Sequence, residues 1–348
     1  MKSYKSIIII LIIFFKTGNV LSDVNIFNVN NIEVVKKPNT SNEEMANQAI
    51  KKGFERLKEK ILLKSDNKIL SKLSFSQIKG LVSYYQVHSK NQDDEKVNTL
   101  IYNISFDKDK LHDLFFKTNI SYAEILNKEL FLLPILIKDN QIFIYNQNYF
   151  YKNWNLINES DLIEFIIPLE NIEIIQKINL YKNDLLELNL KELYPEYINK
   201  NFAVIIITDS NSSSEKIFLK TRILNKNIDK SVSIRRLNLK EEDFYKKIVN
   251  EVNAELINLL KMQNLIDIKT PSFLNTKFLV NKKFNLVDLK DRIKKIDLID
   301  QIYVQEFNKD YIILKIKYLG KLSKIMKQLE EQKIILKLDG DQWSIKLI

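Results

Sequence analysis

The sequence predicts an α+β protein, organised as three small α/β or α+β modules behind a signal peptide. Three observations predict it. Along the 348 residues the hydrophobic pattern switches repeatedly between strand-like alternation and the three-to-four spacing of amphipathic helices. Capping signatures stand directly before several helical stretches. From about residue 270 onward, strands and helices follow one another in a recognisable supersecondary order. The expected boundaries are 1–22 for the signal, 23–126 for the N-terminal module, 127–268 for the central one and 269–348 for the last.

In the N-terminal module, Val24 to Lys37 is rich in β-branched residues and reads as a strand closed by Pro38. Ser41 with Glu44 three residues on is a capping box, and Met45, Ala49, Ile50, Phe54, Leu57 and Ile61 then recur on one helical face. Ser74 with Gln77 marks a second, shorter helix. Leu81 to Val87 and Leu100 to Phe106 read as strands, with the polar stretch 88–97 as their hairpin tip. Asp107 caps a third helix carrying Leu111, Leu114 and Phe115. The expected order is β-α-α-β-β-α.

In the central module, Phe131 to Ile137 and Gln141 to Tyr145 read as strands joined through Lys138, Asp139 and Asn140. Asp161 to Leu169 is expected as a third strand, followed by helical stretches at 171–178 and 189–198. Phe202 to Thr208 is almost continuously apolar, which predicts a strand buried on both faces. Lys216 to Leu224 is expected to pair with it. A helix over 240–262 places Phe244, Ile248, Val252, Leu256 and Leu260 at steps of four. The sum is an α/β sandwich around a mixed sheet.

In the last module, after a linker at Pro271-Ser272, Thr276 to Val280 is a strand and Leu286, Leu289, Ile293 and Ile296 mark an amphipathic helix. Ile302 to Phe307 and Tyr311 to Tyr318 form a hairpin. Leu322, Ile325 and Leu329 mark a second helix, and a final hairpin turns at Asp339-Gly340-Asp341. This is a ferredoxin-like βαββαβ unit with one added edge strand. Both helices are expected on one face of its sheet. Alternation then leaves Tyr303, Lys315 and Lys317 on the other, open face.

The first 22 residues have the layout of a secretory signal. Lys2 and Lys5 precede nine apolar residues, Ile7 to Phe15, and Val20-Leu21-Ser22 forms a cleavage pattern before Asp23. The apolar run is too short to span a bilayer, which needs about 20 such residues. The predicted location is therefore the periplasm, with cleavage after Ser22 and no transmembrane span afterwards. Loss of Lys2, Lys5 and Lys16 takes the formal charge from +10 to +7. Such a balance favours an anionic surface or an acidic partner. Only 5 of the 54 basic residues are Arg, and Ile, Lys and Asn dominate the composition, as an AT-rich coding sequence would give.

The composition excludes several chemistries. Without cysteine there is no disulfide scaffold, thiolate metal site or Cys nucleophile. His88 and His112 are the only histidines, too few for a multi-histidine metal centre, and they read as surface or helix-flank residues. No glycine lies between Gly80 and Gly320, so most of the chain lacks a phosphate-cradling loop. Asp339 and Asp341 read as hairpin-turn acids. The basic pairs Arg235-Arg236 and Lys294-Lys295 read as solvated surface charge, and no nucleic-acid partner is expected. Trp154, in a cluster with Tyr149, Phe150 and Tyr151, reads as a packing plug between domains, with a binding platform as the alternative, and Trp343 reads as core of the last module. Glu164, Glu170 and Glu173 around Pro168 are the densest candidates for a carboxylate pair, and a glycosidase-like pair needs two carboxyls facing one cleft.

The order of features resembles an uncharacterised family of exported Gram-negative proteins, domain of unknown function 2066. The residues that carry the resemblance are the signal, the helix MANQAIKKGFERL, the step YNISFDKDKLHDLF, the apolar LLPILI, and Trp154 before FIIPLENIEI. Where a Gly-Asp-like pair is expected after Pro168-Leu169, this chain has Glu170-Asn171. The resemblance implies an envelope location and a multi-domain α+β build, with no catalytic residue, cofactor or metal to carry over. The functional expectation is a non-catalytic periplasmic envelope protein, an adaptor or assembly factor that binds another protein or an anionic envelope surface. The alternative is a periplasmic carboxylate-dependent hydrolase using Glu164 and Glu170.

Overall fold

The computed structural model describes residues 25–36, 38, 40–89, 99–125, 127–158, 160, 162–280 and 286–348. The expected signal peptide and most of the hairpin tip at 88–97 lie outside these residues. The α+β class holds, with helices and several mixed sheets alternating along the chain. The chain divides into two compact units: Met1–Leu57, Leu73–Asn119 and Asp267–Ile348 form one, and Lys58–Lys72 with Ile120–Ile266 the other. The N-terminal and last modules, which periodicity separates, thus share a unit.

In the first unit, β1 (Asn28–Val35) begins the sheet. Helix α1 (Asn42–Ile61) starts at the expected box: the Glu44 amide donates to Ser41 Oγ at 3.1 Å, and the Ser41 amide to Glu44 Oε2 at 2.9 Å. All six residues of its predicted apolar face are buried. Gly53 lies where a Cβ would come within 2.9 Å of the Cδ1 atoms of both Ile32 and Ile104, so the helix rests on the sheet through a bare backbone. The second box, Ser74 with Gln77, opens α2 (Phe75–Gly80). Strands β2 (Val82–Ser89) and β3 (Thr99–Phe106) follow, with β3 in the middle of the order β1-β3-β2. Asp107 caps α3 (Lys108–Thr118) by accepting from the amides of Asp109 and Lys110.

The second unit is built on β4 (Glu129–Lys138), with β5 (Gln141–Phe143), α4 (Tyr149–Ile157), β6 (Glu164–Ile166) and α5 (Ile172–Leu180) after it. Next come β7 (Phe202–Asp209), β8 (Ser214–Ile223), β9 (Lys226–Arg235) and the long helix α6 (Glu241–Gln263). The sheet runs β9-β8-β7-β4-β5, with β6 paired parallel to the start of β4. β4 and β7 are parallel neighbours and bury both faces. Leu130, Leu132, Ala203 and Ile205 pack under α4 and α6, whereas Leu133, Ile135, Val204 and Ile206 pack under α5 and the short helical turns that follow it. The expected sandwich therefore has three layers. The strand expected over 161–169 is shorter, and β9 is an element that the sequence reading missed. It is an edge strand with only Ile228, Val232 and Ile234 turned to the core. It joins β8 through Leu224 and Asn225, both at positive φ, a tight turn made without glycine.

The last stretch of the first unit contains β10 (Ser272–Leu279), α7 (Leu286–Ile293), β11 (Ile299–Phe307), β12 (Tyr311–Tyr318), α8 (Leu322–Glu331), β13 (Ile334–Asp339) and β14 (Gln342–Leu347). The split motif is present: β10 and β11 flank β12, antiparallel to both. The added strand corrects the expectation. The sheet order is β11-β12-β10-β14-β13, so the final strand is not the edge. β14 inserts parallel to β10 and pushes β13 outward. This stretch is tied to the N-terminal part of its unit, where Lys108 Nζ donates to the Ile299 carbonyl at 3.1 Å.

Candidate functional site

The residues singled out in the sequence fall in separate places. Glu164 lies on β6 opposite Glu129 of β4, and Glu170 accepts from Asn146 Nδ2 at 2.6 Å. Glu173 sits in the first turn of α5, whose cap is Asn171. No bond joins Glu164 to Glu170, and each has its own neighbour. His88 is exposed on β2. His112 is on α3, edge-on to Phe27 at 5.7 Å, and burial pulls its pKa down to about 4. Among the described residues no three His, Asp or Glu lie together as a metal ion would need.

Trp154 is fully buried on α4, and its Nε1 donates to Asn253 Oδ1 of α6 at 3.0 Å. Its ring lies among Phe150, Phe165 and the other members of the second unit's own core, so it plugs that core and not a boundary between domains. Trp343 is half-buried on β14 opposite Thr276. Asp339 and Asp341 flank Gly340, whose φ of 61° makes the turn.

Arg236 departs from its expectation of solvated charge. Arg235 is exposed, but Arg236 folds inward and pairs with Asp209 at 2.5 Å, its guanidinium 4.3 Å from the ring centre of Phe244. Tyr245 donates to the other Asp209 oxygen at 2.7 Å. Burial and that hydrogen bond push the Tyr245 phenol up. Glu215, also buried, accepts from the amides of Ser210 and Ser212 at 3.0 and 2.9 Å. The cluster lies at the carboxyl ends of parallel β4 and β7, where α/β sheets commonly hold ligands. Here its carboxylates are engaged by the chain's own donors, and they fasten the 209–215 turn.

The open face of the last sheet has the opposite character. Both helices cover the side carrying Leu274, Thr276, Phe278, Ile312, Leu314 and Ile316, all buried. The alternate residues stand on the other side, including Tyr303, Lys315 and Lys317 as alternation predicts. Phe273 is 50% exposed, Leu279 60% and Tyr303 44%. Lys277 Nζ stands 4.3 Å from the ring centre of Tyr311, and Lys315 Nζ 4.5 Å from that of Phe273. Such contacts hold an ammonium on a ring without a carboxylate. Lys317 pairs with Asp300 at 2.6 Å and Lys337 with Asp339 at 3.0 Å. Lys277, Lys315 and Lys346, in contrast, have no ion-pair partner among the described residues. Glu306 also stands on this side, where Tyr311 donates its hydroxyl proton to it at 2.7 Å, so three lysines stand against one carboxylate and the face stays net positive beside exposed apolar and aromatic side chains. It can hold an anion at several points and bury apolar groups between them. No helix among the described residues is long and apolar enough to cross a membrane. The aromatic partners of these lysines, Phe273 and Tyr311, were the part that sequence reasoning missed. Tyr311 alternates in phase with Lys315 within its expected strand, but Phe273 precedes the strand expected from Thr276, and the pairing of each ring with its lysine needs the register of β10 against β12.

Compared with known proteins, the chain matches no family model, and no curated protein matches it.

Proposed function

We propose that this chain is a non-catalytic protein of the cell envelope, exported to the periplasm by a signal cleaved after Ser22. It acts as an adaptor or assembly factor through the open face of its last sheet. Kinship with the exported Gram-negative family is part of the same proposal. One observation carries the binding role: the open face leaves Lys277, Lys315 and Lys346 without carboxylates beside exposed Phe273, Leu279 and Tyr303. By contrast, the carboxylates of the Asp209 cluster are already engaged by the chain's own donors. The n-region, the nine-residue apolar run and the Val20/Ser22 pattern support export.

Fractionation of cells making the untagged chain tests the reading. The expected result is a chain whose N-terminus is Asp23, recovered with the envelope and released by high salt, since exposed charge contacts are screened. A chain that starts at Met1 and stays in the cytoplasm would contradict it.

A further inference from the structure

We infer that the open sheet face docks on a bilayer surface carrying anionic phospholipid headgroups. The inference rests on the reading of that face as the binding surface and names its occupant. The charge of the face complements an anionic layer. Three lysines without carboxylate partners stand on one side of the sheet, Lys277 and Lys315 on neighbouring strands and Lys346 on the far side of β10. Residues diagonal to one another on adjacent strands lie roughly 7–8 Å apart. The ammonium groups are thus spread over an area and do not converge on one point, which suits a layer of headgroups better than a single small anion.

The side-chain types also suit a headgroup layer. All the basic groups of this face are lysines, which act as point charges without the planar fork that reads a particular partner geometry. The ammonium groups of Lys277 and Lys315 rest on the rings of Tyr311 and Phe273, the pairing of lysine with aromatic side chains that membrane interfaces favour. Exposed Phe273, Leu279 and Tyr303 supply apolar surface on the same side of the sheet.

A bilayer also fits this face better than a single-stranded nucleic acid does. Bases stack on open aromatic faces. On the two central strands, the rings of Phe273 and Tyr311 already have Lys315 and Lys277 over them. A base would have to displace an ammonium from each, whereas a headgroup phosphate meets the ammonium where it stands.

Each net positive charge near an anionic leaflet contributes about five-fold to binding, so three lysines less the Glu306 carboxylate give roughly a twenty-five-fold preference for anionic over neutral vesicles. The test is co-sedimentation of the chain from Asp23 onward, which holds every described residue, with vesicles of phosphatidylglycerol and phosphatidylcholine or of phosphatidylcholine alone. The chain should pellet with the anionic vesicles only. The double variant Lys277→Glu/Lys315→Glu should lose at least twenty-fold. The control Lys321→Glu/Lys327→Glu, on the helix that covers the other face, should bind as the parent does. Thermal unfolding of each variant is compared with that of the parent, so that a folding defect is recognised; if the double variant melts early, Lys277→Ala/Lys315→Ala replaces it, with the same loss expected. The same proteins are passed over an immobilised mixed-sequence oligodeoxynucleotide and over polyglutamate. Retention there but not on anionic vesicles, abolished in the double variant, would keep the face as the binding surface and overturn the bilayer as its occupant. Equal behaviour of parent and double variant on all three probes would overturn both.

Discussion

Replacing Trp154 with Phe probes the core of the second unit and separates a packing role from a ligand platform. The indole is fully buried, with Phe150 at 6.4 Å and Phe165 at 6.2 Å between ring centres. Its Nε1 donates to Asn253 Oδ1, and Asn253 Nδ2 donates onward to Asn158 Oδ1 at 3.1 Å. Trp154→Phe removes one ring of the pair and leaves a small void, worth about 1–2 kcal/mol against the 3–5 of a full truncation to Ala. It also leaves a buried acceptor on Asn253 unpaired, at about 1–3 kcal/mol. The expected loss is about 3 kcal/mol. Asn253→Leu should cost a similar amount by stranding the indole N–H. The double variant Trp154→Phe/Asn253→Leu should cost less than the sum by about 1–2 kcal/mol, because donor and acceptor leave together. Urea unfolding followed by far-ultraviolet circular dichroism measures all four proteins. The transition is fitted for the second unit separately, since two units need not unfold as one. A loss below about 0.5 kcal/mol for Trp154→Phe, or strictly additive effects, would refute the buried, hydrogen-bonded indole.

Three other predictions follow from buried charges. Lys261 caps the end of α1, donating to the carbonyls of Glu59 and Leu62, and burial lowers its pKa from the ordinary 10.5 to about 8. The unfolded chain therefore binds more protons between those values, so parent stability relative to Lys261→Met should be flat below pH 8 and rise by about 3 kcal/mol toward pH 10.5; a flat difference across that window would contradict the burial. His112 has a pKa depressed from 6.5 to about 4 by burial and the nearby Lys108, so stability present above pH 6.5 should fall toward pH 4 by about 3 kcal/mol more in the parent than in His112→Gln, as read from paired urea midpoints. Arg236→Met strands the buried Asp209 carboxylate and should cost about 3–5 kcal/mol, measured by the same unfolding assay, whereas exposed Arg235→Met should change stability by less than about 0.5.

Local features were legible because local chemistry dictates them. Ser41 with Glu44, Ser74 with Gln77, and Asp107 each cap the helix that their spacing announces, and FAVIIIT could be satisfied only between two covering layers. What the sequence did not disclose is non-local. Strand order depends on pairing between segments far apart in the chain, and no periodicity tells β14 to enter beside β10 and not at the edge. β9 escaped notice because an edge strand needs only three apolar residues, and its turn uses Leu224 and Asn225 where glycine is the usual signal. Arg236 looked solvated beside Arg235, since the side-chain alternation that sends one outward and the other to Asp209 depends on the strand that was missed. The lysine–aromatic face was half visible. Alternation gave Tyr303, Lys315 and Lys317, but the ring partners needed the registry of β10 against β12.

The absence of cysteine makes the most direct measurement clean, because a single introduced thiol is the only one in the chain. Asn275→Cys places a label on the open face beside Lys315, and Ser323→Cys places one on α8, across the sheet. Each carries an environment-sensitive fluorophore and is titrated with anionic vesicles. The account predicts a blue shift and gain in intensity at position 275, reversed by high salt, with little change at position 323. An equal response at both positions, or a response at 323 alone, would contradict the open sheet face as the surface through which this protein binds.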